Sequence, residues 1–205
     1  MTGAAASAFD AAEYLPLVEA RLSDLPEGLQ EHISRSRAVG VDLCEIHGVD
    51  PDVVDLSLAA HDLYKAMDGD ELLAEAGRRG WEADAVERAF PFLLHGQVAA
   101  LWLMQEAGID ESSVIEAVTW HTTYAAKMGP VAALTFLADK IDPVKVQEWP
   151  GLQEVRDLSY KKRAEDAIEL YLSRLITRLV ENGDMAHSRT LDALNYLRLS
   201  RQALL

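Results

Sequence analysis

Apolar residues recur along most of the chain at the spacing of an α-helix, three or four positions apart. Ile33, Leu43 and Ile46 mark one face of the segment 29–47, and the segment 161–182 carries a longer stripe of the same kind. A run that alternates between apolar and polar residues would predict a half-buried strand, and no segment shows that alternation over a useful length. The hydrophobic pattern therefore predicts an all-α fold of about ten helices.

Turn and capping residues divide this pattern into separate helices. Asp50-Pro51 combines an aspartate at the N-cap with a proline at the first helical position, which is a strong start signal. Gly48 and Gly183 follow two of the apolar stretches, where glycine commonly ends a helix. Pro16 lies inside the first predicted helix and weakens that prediction. The predicted helices are 10–22, 29–47, 51 to about 67, 71–79, 84–90, 95–107, 111–121, 130–141, 152–158, 161–182 and 188–200.

The composition agrees with a helical fold and limits the number of domains. Alanine, leucine and glutamate are plentiful, whereas the β-branched and aromatic residues that favour strands are fewer. A chain of 205 residues, 49% of them hydrophobic, fits one domain with a real core. We expect a single domain over 1–205, with an N-terminal helix and turn in 1–28, a core in 29–145 and C-terminal helices in 146–205.

Charge and cysteine content exclude several classes of partner. The formal net charge of −15 argues against binding nucleic acid, which requires a cationic face. No apolar run reaches the roughly 18 residues of a membrane span, and 1–9 lacks the basic start of a signal peptide. The lone Cys44 excludes an internal disulfide and predicts a cytoplasmic protein. The apolar stripe in 161–200 is long enough to cover the core or to meet a second copy, so a homodimer is left open.

The stretch Leu58-Ala-Ala-His-Asp-Leu-Tyr-Lys65 places His61 and Asp62 next to each other in an apolar helical run. Burying two titratable groups in such a run is costly unless they have partners. Neutral imidazole and ionised carboxylate are both metal ligands, so an ion would make their burial favourable. A capped or solvated polar pair is the ordinary alternative for an isolated His-Asp dipeptide.

Four further residues of metal-binding type are distributed over the rest of the chain. His32 lies near the start of a predicted helix, His95 opens one and His121 ends one. Asp139 is a carboxylate inside another apolar run. Taken singly, each has an ordinary explanation, such as a histidine attracted to the C-terminal end of a helix dipole. Together with the His-Asp pair, they make four histidines and two aspartates from five helices, which are able to enclose two metal ions.

The order of these residues resembles that of the HD-domain metallohydrolases, in the version that holds two metal ions. Further stretches resemble the bacterial YqeK family, whose members are symmetrical diadenosine tetraphosphate hydrolases. These stretches are Leu58-Ala-Ala-His-Asp-Leu-Tyr-Lys65, Leu94-His-Gly96, His121-Thr-Thr123, Met128, Phe136-Leu-Ala-Asp139, Ile141-Asp-Pro143 and the tail 187–197. The resemblance runs from about 29 to 197 and implies the HD-domain helical bundle as the fold.

The resemblance also implies a set of metal ligands that form two groups with one shared carboxylate. The groups are His32, His61, Asp62 and Asp139 for one ion, and Asp62, His95 and His121 for the other. The resemblance suggests iron, although imidazole and carboxylate ligands also accept manganese, zinc or cobalt. A structural zinc site is usually rich in cysteine, so the lone Cys44 favours a catalytic centre. His47 and His187 lie outside this set and are predicted to be surface or capping residues.

Two ions bound in this way would lower the pKa of bound water and neutralise charge on phosphoryl oxygens. Asp62, as the bridging ligand, is therefore a predicted catalytic residue. Arg35 and Lys65 are predicted to be phosphate clamps, because each lies about one turn after a ligand, His32 or His61. For Lys65, a solvated position near a helix end is an equally good alternative.

The loop that follows the last histidine of the set is predicted to contact the substrate. Thr122 and Thr123 carry hydroxyls that can donate to a polyphosphate or cap the preceding helix, and Lys127 is a further candidate clamp. Here the chain departs from the family, which usually continues Gly-Arg-Pro after the two threonines. Tyr124-Ala-Ala126 stands at that place, so an alanine replaces the usual arginine. This departure concerns the substrate rather than the metal ions.

These inferences favour an enzyme, a dinuclear-metal phosphohydrolase that cleaves a nucleotide phosphoanhydride. The most favoured substrate is diadenosine tetraphosphate, and attack at the second phosphorus from one adenosine would release two ADP. Two alternatives are left open: an HD-domain phosphatase acting on another small phosphate, and a non-catalytic, metal-stabilised module that binds nucleotides. Product analysis separates the three, since ADP alone, free phosphate from AMP, and binding without turnover each support a different one.

Overall fold

Twelve α-helices and no strand make up residues 9–202, the part of the chain that the structure, a computed structural model, describes. The helices are α1 (Ala11–Leu22), α2 (Glu27–His47), α3 (Pro51–Ala60), α4 (Gly69–Arg78), α5 (Ala85–Ala89), α6 (His95–Gln105), α7 (Ser112–Trp120), α8 (Pro130–Lys140), α9 (Pro143–Glu148), α10 (Leu152–Ser159), α11 (Ala164–Asn182) and α12 (Ser188–Gln202). The all-α prediction is confirmed. Among the described helices, none combines the length and the hydropathy that a membrane span requires. The signal-peptide prediction for 1–9 falls almost entirely outside the described residues.

Three of the predicted start and stop signals act where the sequence pattern placed them. Asp50 accepts a hydrogen bond from the backbone N–H of Asp52 at 3.0 Å and starts α3. Gly48 ends α2 with a φ of 73°, and Gly183 ends α11 with a φ of 75°. This is the left-handed region, which glycine enters without the clash of a Cβ. Pro16 lies inside α1 without ending it.

The helix predicted to run from 51 to about 67 ends earlier, so this part of the prediction is wrong. α3 ends at Ala60, and tight turns follow over the next six residues. The cause lies in the ring of His61, whose Nδ1 donates to the Leu58 carbonyl at 2.7 Å. In a continuing helix that carbonyl would accept from the backbone N–H of residue 62. The turn lets His61 and Asp62 both face the interior, and neither is exposed to solvent.

One short helix was not predicted from the hydrophobic pattern. α9 has six residues and none of them is buried, so no apolar stripe marks it. Its start signal is nevertheless strong, because the Asp142 side chain accepts from the backbone N–H of Val144 at 3.1 Å and Pro143 takes the first helical position. The same aspartate-proline signal starts α3. The sequence pattern identified Asp142-Pro143 as the end of one helix but not as the beginning of the next.

α3 lies between two clusters of the hydrophobic core. Val54 and Leu58 belong to a cluster that α2, α8, α10, α11 and α12 share, whereas Leu56 and Ala59 belong to a second cluster shared by α1, α4, α6 and α7. All four side chains are at most 1% exposed. Apolar burial stabilises by about 25 cal/mol per Å², so packing fixes α3 from both sides. Its C-terminal end is therefore held deep in the protein.

Several helix ends meet at this depth. His61 follows α3, His121 follows α7, and Asp139 lies in the last turn of α8. His95 opens α6, and His32 lies in the second turn of α2. A short 3₁₀ helix, Pro91–Leu94, leads directly into α6 and its first residue, His95. The fold thus brings residues from distant parts of the chain to one interior region.

Gly96 lets α6 approach the end of α7 closely. A Cβ at this position would lie 2.7 Å from the Val118 carbonyl oxygen and 2.9 Å from Cε1 of His121. Contacts this short would force a neighbour to move, and both neighbours are buried. The absence of a side chain at Gly96 therefore allows His95 and His121 to lie side by side.

We predict that Gly96→Ala destabilises the fold, because the added methyl group overpacks a closed interface, which costs about 1–3 kcal/mol. Gly77→Ala is the matched control, since its added Cβ would meet nothing within 4 Å in α4, and alanine favours a helix over glycine by about 1 kcal/mol. Thermal unfolding should show a lower Tm for Gly96→Ala and an equal or higher Tm for Gly77→Ala. Equal Tm values for the two variants would show that the interface has room for a side chain.

Candidate metal centre

Six buried side chains form two groups of potential metal ligands. The groups are His32, His61, Asp62 and Asp139, and Asp62, His95 and His121. Within each group, one atom of every side chain lies within 4.8 Å of the others. All six residues are at most 7% exposed. The structure therefore brings together the residues that the sequence predicted as ligands and divides them between two positions that share Asp62.

Asp62 faces both groups, with one oxygen toward each. Its Oδ2 lies 3.3 Å from Nε2 of His61 and 3.5 Å from Nε2 of His32. Its Oδ1 lies 3.0 Å from Nε2 of His95 and 3.4 Å from Nε2 of His121. A carboxylate placed in this way is able to bridge two ions.

Each histidine of the set has one ring nitrogen occupied by the protein. Nδ1 of His61, His95 and His121 donates to the backbone carbonyl three residues earlier, at 2.7, 2.5 and 2.8 Å respectively. Nδ1 of His32 donates to Oδ2 of Asp142 at 2.7 Å. Carbonyl and carboxylate oxygens accept only, so in the neutral ring the proton lies on Nδ1 and Nε2 keeps its lone pair. Metal-binding histidines are oriented by hydrogen bonds of this kind.

The spacing of the donor atoms fits metal ions. Nε2 of His95 and Nε2 of His121 lie 2.8 Å apart, where two lone pairs repel unless a cation lies between them. Nε2 of His61 and Oδ1 of Asp62 are buried without a hydrogen-bond partner. Around an ion with bonds of about 2.1 Å, neighbouring ligand atoms lie about 3 Å apart, close to the separations in this cluster. The buried cluster therefore suits divalent metal ions.

The buried carboxylates attract positive charge to this region. Burial alone would raise the pKa of Asp62 and of Asp139, but neighbouring histidines and lysines hold both pKa values well below the usual range. Burial lowers the pKa of His121 to about 3. Burial acts on His61 in the same direction, but the two carboxylates outweigh it and raise the pKa of His61 to about 9. Positive charge is thus favoured beside His61, whether a proton or a metal ion supplies it.

Three lysines surround the two carboxylates. Nζ of Lys65 lies 2.7 Å from Oδ2 of Asp62, and Nζ of Lys140 lies 2.6 Å from Oδ2 of Asp139. Lys145 contacts the other oxygen of Asp139. Sequence reasoning gave Lys140 no role toward the substrate and missed Lys145, whose position depends on helix α9. The cations nearest the centre are therefore more numerous than the sequence pattern indicated.

Arg35 is bound to a carboxylate that lies behind one of the ligands. Its Nε donates to Oδ1 of Asp142 at 2.8 Å, and its Nη2 donates to Oδ2 at 3.1 Å. Asp142 is also the residue that accepts from His32. The guanidinium therefore fixes the carboxylate that orients an imidazole, a role in which outer residues tune metal ligands. The predicted contact of Arg35 with phosphate stays a prediction.

The two threonines after His121 take different positions. Oγ1 of Thr122 lies 3.2 Å from Nε2 of His121 and 3.4 Å from Nε2 of His95. The Thr123 side chain is buried, and its carbonyl accepts from Oγ1 of Thr190 at 2.8 Å. Thr122 is therefore adjacent to the second ligand group, whereas Thr123 connects the loop to α12.

Lys127 lies apart from the predicted ligands. It lines a separate cavity of about 320 Å³, and none of the six ligand residues forms part of its walls. Tyr124 and Lys127 both have positive φ, at 58° and 66°. Tyr124 packs on Phe136, with ring centroids 4.8 Å apart. The departure from the family pattern at Tyr124 thus adds a ring to the core, and the contact of Lys127 with substrate stays a prediction.

A third group of potential ligands consists of Asp84, Glu87 and His187. Within it, the Glu87 carboxylate accepts a hydrogen bond from the backbone N–H of Asp84 at 2.9 Å. Nδ1 of His187 accepts from the backbone N–H of Arg189 at 3.2 Å, so His187 caps α12 as predicted. The proton of the neutral ring then lies on Nε2, which is 3.2 Å from Oδ2 of Asp84 and has no lone pair for an ion. His187 is only 4% exposed, so of the two predicted roles, surface or capping, the capping role applies.

The helical arrangement matches that of a solved HD superfamily structure. A solved structure from Clostridium acetobutylicum, described as a predicted HD superfamily hydrolase involved in NAD metabolism, matches the chain with a TM-score of 0.83. The match covers 94% of this chain and 98% of that chain, at 23% sequence identity. No protein-family model matches the chain. The predicted HD-domain helical bundle is confirmed.

Curated relatives give a more specific similarity. A Staphylococcus aureus protein named "Bis(5'-nucleosyl)-tetraphosphatase, symmetrical" is 29% identical over 86% of this chain and 90% of its own length. A Halalkalibacterium halodurans protein of the same name is 28% identical over 87% of this chain and 93% of its own. A third, from Bacillus subtilis, is 27% identical over 58% of this chain and 62% of its own. The resemblance predicted from the motifs is therefore confirmed.

We predict that Asp62→Ala and His61→Ala lose metal, because each removes a donor from the buried set. Protein purified without added metal should contain about two equivalents of transition metal per chain, and each variant should contain less. Asp84→Asn, in the third group, is the matched control and should keep the full content. Elemental analysis measures all four proteins, and an Asp62→Ala protein with undiminished metal would contradict the shared-ligand arrangement.

We also predict that Glu87 stabilises the fold more at neutral than at acid pH. Burial acts to raise its pKa, but the His187 ring, 3.7 Å away, and the hydrogen bond from the backbone N–H of Asp84 lower it below the usual 4.5. A carboxyl group whose pKa falls on folding contributes stability above its unfolded pKa and loses it as the pH drops through its folded pKa. Urea unfolding of Glu87→Gln should show a deficit at pH 7 that shrinks as the pH falls below about 4.5. A deficit that grows toward acid pH would reverse this sign.

Proposed function

We propose that the chain is a metal-dependent hydrolase that cleaves diadenosine tetraphosphate symmetrically and releases two ADP. The observation that carries this proposal is the position of Asp62, which faces two groups of buried metal-ligand atoms at once. The HD-superfamily fold and the similarity to proteins named symmetrical tetraphosphatases support the same reaction. The six ligand residues, with Asp62 as the bridging one, belong to this proposal.

The reaction consumes one water molecule and breaks one phosphoanhydride bond. The water oxygen bonds to the second phosphorus from one adenosine, and the bond from that phosphorus to the central bridging oxygen breaks. That oxygen leaves with the other half, so each product keeps two phosphates. When bound, the two ions supply a lower pKa for water and neutralise charge on the phosphoryl oxygens. Iron is the proposed metal on the family resemblance, and manganese, zinc or cobalt suits the same donors.

The lysines around the carboxylates are the proposed phosphate-binding groups. Burial acts to lower the pKa of Lys65, but Asp62 outweighs it and raises that pKa, so the side chain carries its charge at neutral pH. The Lys65 side chain is 41% exposed and can turn toward a substrate. Lys140 and Lys145 hold two more positive charges beside Asp139. In a chain of net charge −15, such local cations are needed to admit a polyanion.

Thr122 and Arg35 have different proposed roles. The Thr122 hydroxyl lies beside the second ligand group, where it can donate a hydrogen bond to a phosphoryl oxygen. Arg35 acts through Asp142 on the orientation of His32, and so positions a ligand rather than the substrate. Phosphoryl transfer depends mainly on positioning and on electrostatic stabilisation, which are the contributions that these residues make.

We place the reaction in the cytoplasm. The lone Cys44 is buried and burial raises the pKa of its thiol to about 11, which suits a reduced, unreactive residue. The proposed substrate is a small nucleotide rather than a nucleic acid, in keeping with the acidic charge of the chain. A homodimer through the C-terminal helices is a proposal from the sequence pattern alone.

We predict that the purified, metal-loaded chain converts diadenosine tetraphosphate into ADP alone. Anion-exchange chromatography of the products measures this, with heat-denatured protein as the control. ATP together with AMP would show asymmetric cleavage and contradict the proposal. Free phosphate from AMP would indicate a phosphatase, and nucleotide binding without turnover would indicate a binding module.

We predict that Lys65→Ala keeps both metal ions but lowers kcat by about 10–100-fold, the value of a charge-assisted hydrogen bond to phosphate. The control is Lys161→Ala, which removes an exposed lysine distant in sequence from the ligands and should leave kcat unchanged. Steady-state kinetics and elemental analysis give the two readouts. If Lys65→Ala keeps both its metal content and its rate, Lys65 is a bystander.

A further inference from the structure

Two clefts of different chemistry open beside the metal centre. The first, here called the apolar cleft, has a volume of about 310 Å³, and its walls include Phe90, Phe92, Leu175, Met185 and Thr122. The second, the basic cleft, has a volume of about 270 Å³, and its walls include Lys140, Lys145, Trp149 and Arg178. The apolar cleft lies at the lower end of the roughly 300–1,000 Å³ that ligand pockets occupy, and the basic cleft is slightly smaller.

Each cleft reaches a different group of ligands. Thr122, in the wall of the apolar cleft, lies 3.2 Å from Nε2 of His121 in the second group. Lys145, in the wall of the basic cleft, lies 3.3 Å from Nε2 of His32 in the first group. Lys140 and the buried Tyr171 form part of both walls and so separate the two spaces. Each cleft therefore adjoins one of the two ligand groups that share Asp62.

The apolar cleft offers a surface for a flat ring. Phe92 is 58% exposed and Met185 is 57% exposed, although both are large apolar side chains. Scattered exposed apolar residues are common, but these two lie in one cleft that reaches the metal centre. The ring of Phe92 is supported edge to face by Phe90, with centroids 6.3 Å apart. Aromatic side chains in such positions stack on nucleobases.

The basic cleft offers charges for a phosphate chain. Lys140, Lys145 and Arg178 contribute three positive charges to its walls. The opposing negative charges are those of Glu148 in the wall and of Asp139, with which both lysines pair. The guanidinium of Arg178 lies over the ring of Trp149, 5.2 Å from its centroid, which holds it at the cleft. This local excess contrasts with the net charge of −15 on the chain. The basic cleft is therefore suited to a polyanion.

We infer that the apolar cleft is a nucleobase subsite with Phe92 as its stacking residue, and that the basic cleft binds the phosphates of the far half of the substrate through Arg178. The inference rests on the proposed function for its substrate class, a dinucleoside polyphosphate. It makes the site asymmetric although the substrate is symmetrical. One half is held by its base and the other half by its charge.

Isothermal titration of the metal-loaded chain tests this with two probes, ADP and inorganic tripolyphosphate, which has no base. Phe92→Ala should weaken the binding of ADP about ten-fold, the scale of one base–aromatic stack. The same variant should leave the affinity for tripolyphosphate unchanged. Arg178→Ala should weaken the binding of tripolyphosphate about five-fold, as expected for the loss of an exposed cation. The same variant should change the affinity for ADP less. Leu199→Ala and Arg198→Ala remove exposed residues outside both clefts and serve as matched controls.

The crossed pattern supports the inference, and two results would overturn it. One is equal weakening of both probes by Phe92→Ala, which would remove any preference for a base. The other is unchanged binding of both probes in both variants. These titrations need no turnover, so they are independent of the product analysis. A chain that binds ADP through Phe92 but yields no ADP from diadenosine tetraphosphate would refute the proposed function and keep the nucleobase subsite.

Discussion

Two buried carboxylates, Asp62 and Asp139, place the strongest demand on this structure. An ionised carboxylate in a protein interior is stable only when cations or hydrogen-bond donors replace its lost hydration. Here the replacement comes from four imidazoles and three lysines, which helices distant in the chain bring together. The same demand explains why α3 ends at Ala60. The turn directs His61 and Asp62 to one ligand cluster, whereas adjacent side chains of a straight helix point about 100° apart.

Much of this centre could be predicted from residue types and their order. His61 and Asp62 are conspicuous because an adjacent titratable pair lies in an apolar run, and the other four ligands follow in the order of a known family. What the sequence pattern could not show depends on contacts between distant residues. Lys145 lies on α9, which has no buried residue and hence no stripe to predict it. Asp142 has the sequence pattern of a helix boundary, and only folding brings it to His32, 110 positions away.

Charge is distributed in this protein on two scales. The chain as a whole carries −15, which repels anions at long range. Within the site, Lys65, Lys140 and Lys145 reverse that sign over a few ångströms. These lysines stabilise the buried carboxylates of the folded chain, and under the proposed function they also provide positive charge for a phosphate chain. A polyanion therefore gains attraction only after it has entered the clefts, so its fit to the clefts governs selection more than long-range steering does.

Three of the four imidazoles are oriented by the carbonyl three residues earlier in their own chain, as His61 is by Leu58. Such a bond is closed within a single turn of backbone and requires no particular side chain as its partner. Substitutions in the surrounding helices therefore leave these bonds intact, provided that they leave room for the rings, as Gly96 does for His121. A centre oriented in this way depends on the identity of few other side chains, so the surrounding sequence is free to change widely. Because the local backbone orients the rings, the geometry of the donor atoms tolerates sequence change elsewhere in the fold.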